Sequence, residues 1–82
     1  MNWDESKRQQ NLLKHGLDFA HADYVLKSPF RLDVDTFRSG EYRIQSFAYV
    51  FDALSVLTVV HIDSLQRIIS FRRASREERG LP

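Results

Sequence analysis

The spacing of apolar residues divides the chain into a helical first third and a strand-forming remainder. From Asp4 to His15 the chain is mostly polar but consists of good helix formers, with Leu12 and Leu13 among its few apolar anchors. Asp4 is a suitable N-cap, and Gly16 suits the left-handed position that follows a helix C-terminus. The pattern therefore predicts a first helix that ends at His15.

A second helix is predicted directly after the first. Asp18 is a suitable cap for it, and apolar residues from Phe19 to Leu26 follow helical spacing. Ser28-Pro29 ends this helix, because proline disfavours the helical conformation in the residue before it.

Beyond Phe30 the apolar period changes to two, which is typical of strands. Short turns at Ser39-Gly40, Asp52-Ala53 and Asp63-Ser64 divide this region, and short connections favour antiparallel neighbours. Strands are predicted within residues 31–36, 41–51, 54–62 and 66–72. The predicted fold class is α+β, with two N-terminal helices packed on a mainly antiparallel four-stranded sheet. Residues 1–3 can add a strand stub, and Ser75 with Glu78 predicts a capped, short C-terminal helical turn.

Size and composition limit the class of protein. With 82 residues, residues 1–82 are expected to form a single domain. Hydrophobic residues make up 43% and charged residues 28%, which is ordinary for a globular protein. The chain has no cysteine, no signal-peptide layout at its N-terminus and no apolar run long enough to cross a bilayer. We therefore expect a cytoplasmic protein without membrane contact.

Arginines are concentrated near the C-terminus, although the net charge is only +1. Five of them lie between Arg67 and Arg79, on a predicted strand and the turn after it. A guanidinium matches a phosphate in shape and charge. On a flat strand Arg67 and Arg73 share one face and Arg72 lies on the other. Arg67 and Arg72 therefore act in different places, or the strand twists or ends between them. Arg76 is expected to be a solvated surface charge.

A series of short motifs runs through nearly the whole chain. They are Trp3-Asp4-Glu5 with Lys7 and Asn11, Lys14-His15-Gly16 with Phe19, Asp33, Glu41-x-Arg43, Arg67-Ile68-Ile69-Ser70-x-Arg72-x-Ala74 and Glu78-Arg79. Together they resemble the BrnT family, the toxin half of bacterial type II toxin–antitoxin pairs. The Lys-His-Gly element combined with the Arg-Ile-Ile-Ser-x-Arg-x-Ala element is the most specific part of the resemblance.

The resemblance implies a RelE-like fold, ribosome-independent RNA cleavage and no cofactor. It implies inhibition by a tightly bound, BrnA-like ribbon-helix-helix antitoxin, through which alone DNA is contacted. It also favours functional roles for Arg67 and Arg72. Relatives usually carry a glycine near the position of Ala48 and extend a C-terminal helix past Arg79. These departures leave open a non-catalytic module that binds RNA or antitoxin and acts in operon autoregulation.

Metal-independent RNA cleavage needs a base near the 2′-hydroxyl, positive charge around the phosphorane and an acid or cation at the leaving oxygen. Glu41 and Arg43 are two residues apart on one strand and project from the same face. Glu41 is the predicted base and Arg43 a phosphate clamp. The alternative is an exposed strand-edge pair, which contributes under about 1 kcal/mol. Arg67 and Arg72 complete the predicted catalytic group, with Arg73 as an RNA-binding residue.

His15 and Lys14 lie at a predicted helix C-terminus, where the helix dipole favours a protonated imidazole. That arrangement suits acid catalysis by His15 and RNA binding by Lys14, and a charged C-cap is the alternative. His61, in the apolar central strand, is expected to be a hydrogen-bonded core residue. The three histidines lack zinc-ligand spacing, so no metal site is predicted. Phe47, Tyr49 and Phe51 alternate and are expected to be core residues beneath the helices, although they can also stack on bases.

Overall fold

The computed structural model describes residues 1–76 of the chain. Five strands form one sheet in the order β1-β5-β4-β3-β2. They are β1 (Asn2–Trp3), β2 (Leu32–Arg38), β3 (Glu41–Val50), β4 (Ser55–Ile62) and β5 (Arg67–Arg73). Neighbours from β2 to β5 are antiparallel, whereas β1 runs parallel to β5. The helices are α1 (Glu5–His15) and α2 (Asp23–Leu26), and the α+β class is confirmed. Within the described residues no helix is long and apolar enough to span a membrane.

Two details of the predicted architecture are wrong. The sheet has five strands and not four, because the N-terminal strand stub that the sequence allowed is present and pairs with Arg67 and Ile68 of β5. The second helix is two short pieces, a 3₁₀ turn at Phe19–His21 and the four-residue α2. Asp18 caps only the 3₁₀ turn, where its carboxylate accepts from the Ala20 N–H. The predicted C-terminal turn falls largely on residues 77–82, outside the described part of the chain.

The ends of α1 are set by the residues that the sequence predicts. Asp4 Oδ1 accepts from the N–H groups of Ser6 at 2.9 Å and Lys7 at 3.3 Å, which satisfies two free helical donors. Gly16 has a φ of 70°, and its N–H donates to the Leu12 carbonyl. A left-handed residue here favours glycine, which lacks the Cβ that would be strained. The predicted limits of α1 are therefore confirmed.

The core lies between the helices and one face of the sheet. Phe19 and Val25 are almost fully buried against β3, β4 and β5. Ala48 and Val59 belong to this core, so the residues next to them along each strand point to the opposite face. We call that opposite side the open face. It is the surface on which the polar residues of β3 and β5 gather.

The aromatic stripe on β3 does not lie beneath the helices. Ala48 and Val50 occupy the helix-facing positions instead, because the pairing of Ala48 with Leu57 sets that alternation. Phe47 is buried, but Tyr49 is 48% and Phe51 80% exposed. Phe51 has already left the strand for a 3₁₀ turn. The expectation of core residues is therefore confirmed for Phe47, although on the open face, and is wrong for Tyr49 and Phe51.

A chain of polar side chains joins β2, β3 and β4. His61 is fully buried, with Nε2 at 2.7 Å from Ser46 Oγ and Nδ1 at 2.6 Å from Asp63 Oδ1. Ser46 also donates to Asp33, which receives two hydrogen bonds from Arg31. Because Ser46 has no exposed surface, this serine–histidine–aspartate series is closed to any substrate. The expectation that His61 is a hydrogen-bonded core residue is confirmed.

Candidate functional site

A β-bulge in β5 determines which way its arginines point. Ser70 pairs with Val60, and Ile68 pairs with His61, the next residue along β4. Ile69 is therefore left as an extra residue in β5. An extra residue of this kind shifts the side-chain alternation of its strand by one position. The two ends of β5 therefore follow opposite alternations.

The bulge brings Arg67 and Arg72 to the same face of the sheet. Arg67 pairs with Ile62 and Arg72 with Thr58, and these partners are four residues apart on β4. Residues four apart on a strand point the same way. The two arginines do not reach the same place, however, because their backbones lie about 13 Å apart at roughly 3.3 Å per residue. The two arginines therefore occupy separate points of the open face.

A cleft of about 460 Å³ crosses the open face beside Arg72. We call it the sheet cleft. Polar residues from three strands line it: Thr36 and Arg38 from β2, Arg43 and Gln45 from β3, and Ser70 and Arg72 from β5. Arg67 lies outside it, and Arg73 pairs with the core residue Leu57 and so follows the helix-side alternation. The structure thus brings Arg43 and Arg72 together and leaves Arg67 and Arg73 apart from them.

Glu41 and Arg43 form an ion pair next to the sheet cleft. Arg43 Nε donates to Glu41 Oε1 at 3.2 Å, and the two side chains are 28% and 41% exposed, respectively. Glu41 on β3 pairs with Arg38 on the neighbouring β2. The pair stands on β3, which is an inner strand, so it is not the strand-edge pair considered above. The ion pair places a carboxylate beside a cation at the edge of the sheet cleft.

Lys14 and His15 line a separate groove at the end of α1. This groove, here called the α1 groove, has a volume of about 270 Å³ and lies between α1 and β5. Lys7, Gln10 and Asn11 also border it. It meets the sheet cleft at the bulge, because Ile69 and Ser70 line both. Lys14 and His15 are therefore neighbours of the sheet cleft and not part of it.

The surroundings of His15 oppose its protonation. Burial lowers the His15 pKa most, and the positive charges of Lys14 and Arg72 lower it further. These effects oppose the attraction of the helix C-terminus, on which the prediction of a favoured imidazolium rests. The contribution of Arg72 shows that its charge is felt in the α1 groove.

Asn11 fixes the backbone of β5 next to Arg72. Its side-chain amide donates to the Phe71 carbonyl at 2.7 Å and accepts from the Phe71 N–H at 3.1 Å. It also donates to the Leu17 carbonyl at 2.9 Å. This part of β5 lies beyond the short β1, so the amide takes the place of a neighbouring strand. Asn11 is 7% exposed, and the clamp holds the strand from which Arg72 projects.

Several residues of the sheet cleft are absent from the sequence-based prediction. Gln45 shares its alternation with Glu41 and Arg43, so the strand pattern alone was a sufficient signal for it. Arg38 and Ser70 could be placed only once the pairing of the strands was known. Phe37 borders the cleft and packs on Tyr42 with ring centroids 4.6 Å apart, which offers exposed aromatic surface.

The described residues contain no group of three His, Asp or Glu side chains able to hold a metal ion.

A protein-family model described as the ribonuclease toxin BrnT of type II toxin–antitoxin systems matches residues 3–78. The match covers every residue of the sheet cleft and of the α1 groove. No curated protein matches the chain.

Proposed function

The chain belongs to the BrnT family of ribonuclease toxins, and on that premise we propose that its sheet cleft cleaves RNA without a metal ion. A ribonuclease toxin of a type II system has an RNA substrate and an antitoxin partner. The observation that carries the proposal is the bulge in β5, which sets Arg72 on the same face as Arg43 and Glu41.

In the proposed reaction the ribose 2′-oxygen attacks the adjacent phosphorus. Glu41 accepts the 2′-hydroxyl proton, the new oxygen–phosphorus bond forms and the bond to the 5′-oxygen breaks. The products are a 2′,3′-cyclic phosphate and a 5′-hydroxyl end. Arg43 and Arg72 stabilise the extra negative charge of the phosphorane, a type of contact that acts mainly in the transition state. Arg67 contacts a more distant part of the same RNA strand.

The proton for the leaving 5′-oxygen comes from the side of the cleft next to the α1 groove. His15 lies there, and its pKa is lowered by burial, Lys14 and Arg72. A bound phosphate offsets those positive charges and makes the imidazolium easier to form. His15 is therefore proposed as the acid in the RNA complex, with Lys14 on the RNA backbone. Arg73 follows the alternation of β5 that faces the helices, away from the sheet cleft. We therefore propose only a peripheral RNA contact for it.

The proposal is tested by incubating purified protein with a structured RNA, with and without EDTA. We expect cutting in both conditions and products that end in 2′,3′-cyclic or 3′-phosphate. DNA should survive because it lacks the 2′-hydroxyl nucleophile. Equal cutting of DNA, or complete loss of activity in EDTA, contradicts the mechanism.

Single substitutions separate catalysis from binding. Arg43→Ala and Arg72→Ala should each lower the cleavage rate by about 10²–10³, the usual effect of removing one transition-state donor. Arg76→Ala is the matched control, since Arg76 is exposed and lies outside the cleft. An equal, small effect of all three substitutions would favour a non-catalytic module. The Glu41–Arg43 ion pair favours that alternative, because it already occupies the proposed base.

The antitoxin is proposed to be a ribbon-helix-helix protein whose acidic segment covers Arg67 and Arg72. Charge-assisted contacts to these arginines would exclude RNA, and their electrostatic steering makes the association rate fall with salt. Co-expression with the product of the neighbouring gene tests this pairing. A protein that is harmless alone and forms no stable complex would contradict it.

A further inference from the structure

The α1 groove has the charge and the position of a second phosphate-binding site. We propose that it binds a phosphate of the RNA strand next to the one held in the sheet cleft, through Lys7 and Lys14. The inference rests on the proposed RNA-binding role of the cleft and extends it to a helix face.

Charge is the first argument for an anion in this groove. Lys7, Lys14 and His15 line it, and no acidic side chain does. The acidic residue on the same helix, Glu5, is held by Arg8 at 2.6 Å. Among residues 1–76 the ion pairs involve other cations, so both lysines keep their charge available for a ligand.

Helical spacing is the second argument. Lys7 and Lys14 are seven residues apart, which is close to two turns, so they stand on one face of α1. Their backbones lie about 10 Å apart along the helix axis at roughly 1.5 Å per residue. Two flexible ammonium groups at that separation can converge on one phosphate or follow a short length of backbone. The polar side chain of Gln10 lies between them in the lining of the groove.

Continuity with the sheet cleft is the third argument, and it identifies the ligand. Ile69 and Ser70 line both cavities, so an extended strand leaving the cleft passes the bulge and enters the groove. Arg72 lowers the His15 pKa from the cleft side, and Lys14 lowers it from within the groove. A single positive field therefore covers both cavities. Single-stranded RNA matches this continuous path better than a compact anion does.

The test uses an oligonucleotide made entirely of 2′-deoxy residues, because it keeps the phosphates and cannot be cut by 2′-hydroxyl attack. Its affinity is measured across a range of salt concentrations. For single strands each neutralised phosphate contributes about 0.7 to the slope of log affinity against log salt. Lys7→Ala and Lys14→Ala should each lower that slope, by at most about 0.7, and weaken binding several-fold. Lys7→Gln should give the same result.

Lys27→Ala is the matched control. Lys27 is the lysine directly after α2, paired with Asp23 at 3.4 Å and outside the groove. It should leave the salt slope unchanged. A deoxydinucleotide, too short to reach from the cleft into the groove, should bind wild type and Lys7→Ala equally.

The outcomes separate this site from the proposed cleavage. An unchanged slope in both Lys7 variants, or an equal loss of dinucleotide affinity, overturns the groove as a flanking site. A loss of antitoxin binding without any change in oligonucleotide binding assigns the groove to the protein partner and also overturns it. If the oligonucleotide results are as expected but wild type never cuts RNA, the binding site stands and the cleavage proposal fails.

Discussion

Replacing Asn11 by alanine tests whether the side-chain amide holds β5 in place. Asn11 is 7% exposed and makes three hydrogen bonds, two to the backbone of Phe71 and one to the Leu17 carbonyl. Alanine removes all three and leaves these backbone groups without a partner. Each buried polar group left unpaired costs about 1–3 kcal/mol. Water can enter from the α1 groove and satisfy part of them, so we expect a loss of about 2–4 kcal/mol in unfolding free energy.

That loss is large for a chain of 82 residues, because stability of roughly 0.05–0.15 kcal/mol per residue gives about 4–12 kcal/mol in total. Urea unfolding followed by circular dichroism measures it as a lower midpoint with an unchanged slope. Gln9→Ala is the control, since this exposed residue lies on the same helix. It should change the stability by no more than about 0.5 kcal/mol.

Asn11→Asp separates the hydrogen bonds from simple packing. An ionised aspartate can accept from the Phe71 N–H but cannot donate to the two carbonyls, whereas a protonated one regains a donor. The loss of unfolding free energy in Asn11→Asp, relative to wild type, should therefore shrink as the pH is lowered. A deficit that is independent of pH, or an Asn11→Ala loss within about 0.5 kcal/mol, would refute the clamp.

Three further predictions concern stability. His61→Ala should lower the unfolding free energy by about 2–4 kcal/mol in urea titrations, because it strips the buried Ser46 of a partner and leaves a cavity. The Asp33 pKa is lowered, first by the hydrogen bond from Arg31, so its stabilisation is complete above about pH 4 and is lost as the pH falls through the folded pKa. Asp33→Asn should flatten that acid limb in thermal unfolding at different pH values. Thr58 Oγ1 is buried without a partner among residues 1–76, so Thr58→Val should raise the unfolding free energy by about 1 kcal/mol, and a loss would contradict this.

Local signals in the sequence were sufficient for most of the secondary structure. Asp4 and Gly16 marked the ends of α1 because capping depends on residues within one turn. The period-two alternation after Phe30 identified the strands, because it too depends on residues that are close together in the sequence. The two-residue β1 could be suggested only as a stub, because its pairing with Arg67 is formed with the far end of the chain.

The residues of the candidate site likewise fall into those that local sequence could place and those that depend on long-range pairing. Glu41 and Arg43 could be placed on one face from their spacing alone. The position of Arg72 could not, because nothing in the Ile68-Ile69 pair indicates which isoleucine is the extra residue. The pairing of β5 with β4 decides it. The charges that oppose protonation of His15 could not all be predicted, because one of them, on Arg72, lies on a strand distant in sequence.

On the proposed function, the bulge and the Asn11 clamp together explain how a chain with a net charge of +1 would present a phosphate site. Without the extra residue, Arg72 and Arg67 would point to opposite faces, and each would act alone. With it, both stand on the open face, and Arg72 faces Arg43 across the sheet cleft. Asn11 holds the strand at that point from a helix whose next turn carries Lys14. A strand whose backbone is fixed in this way would need little further ordering when RNA binds, so less of the binding energy would be lost to conformational entropy.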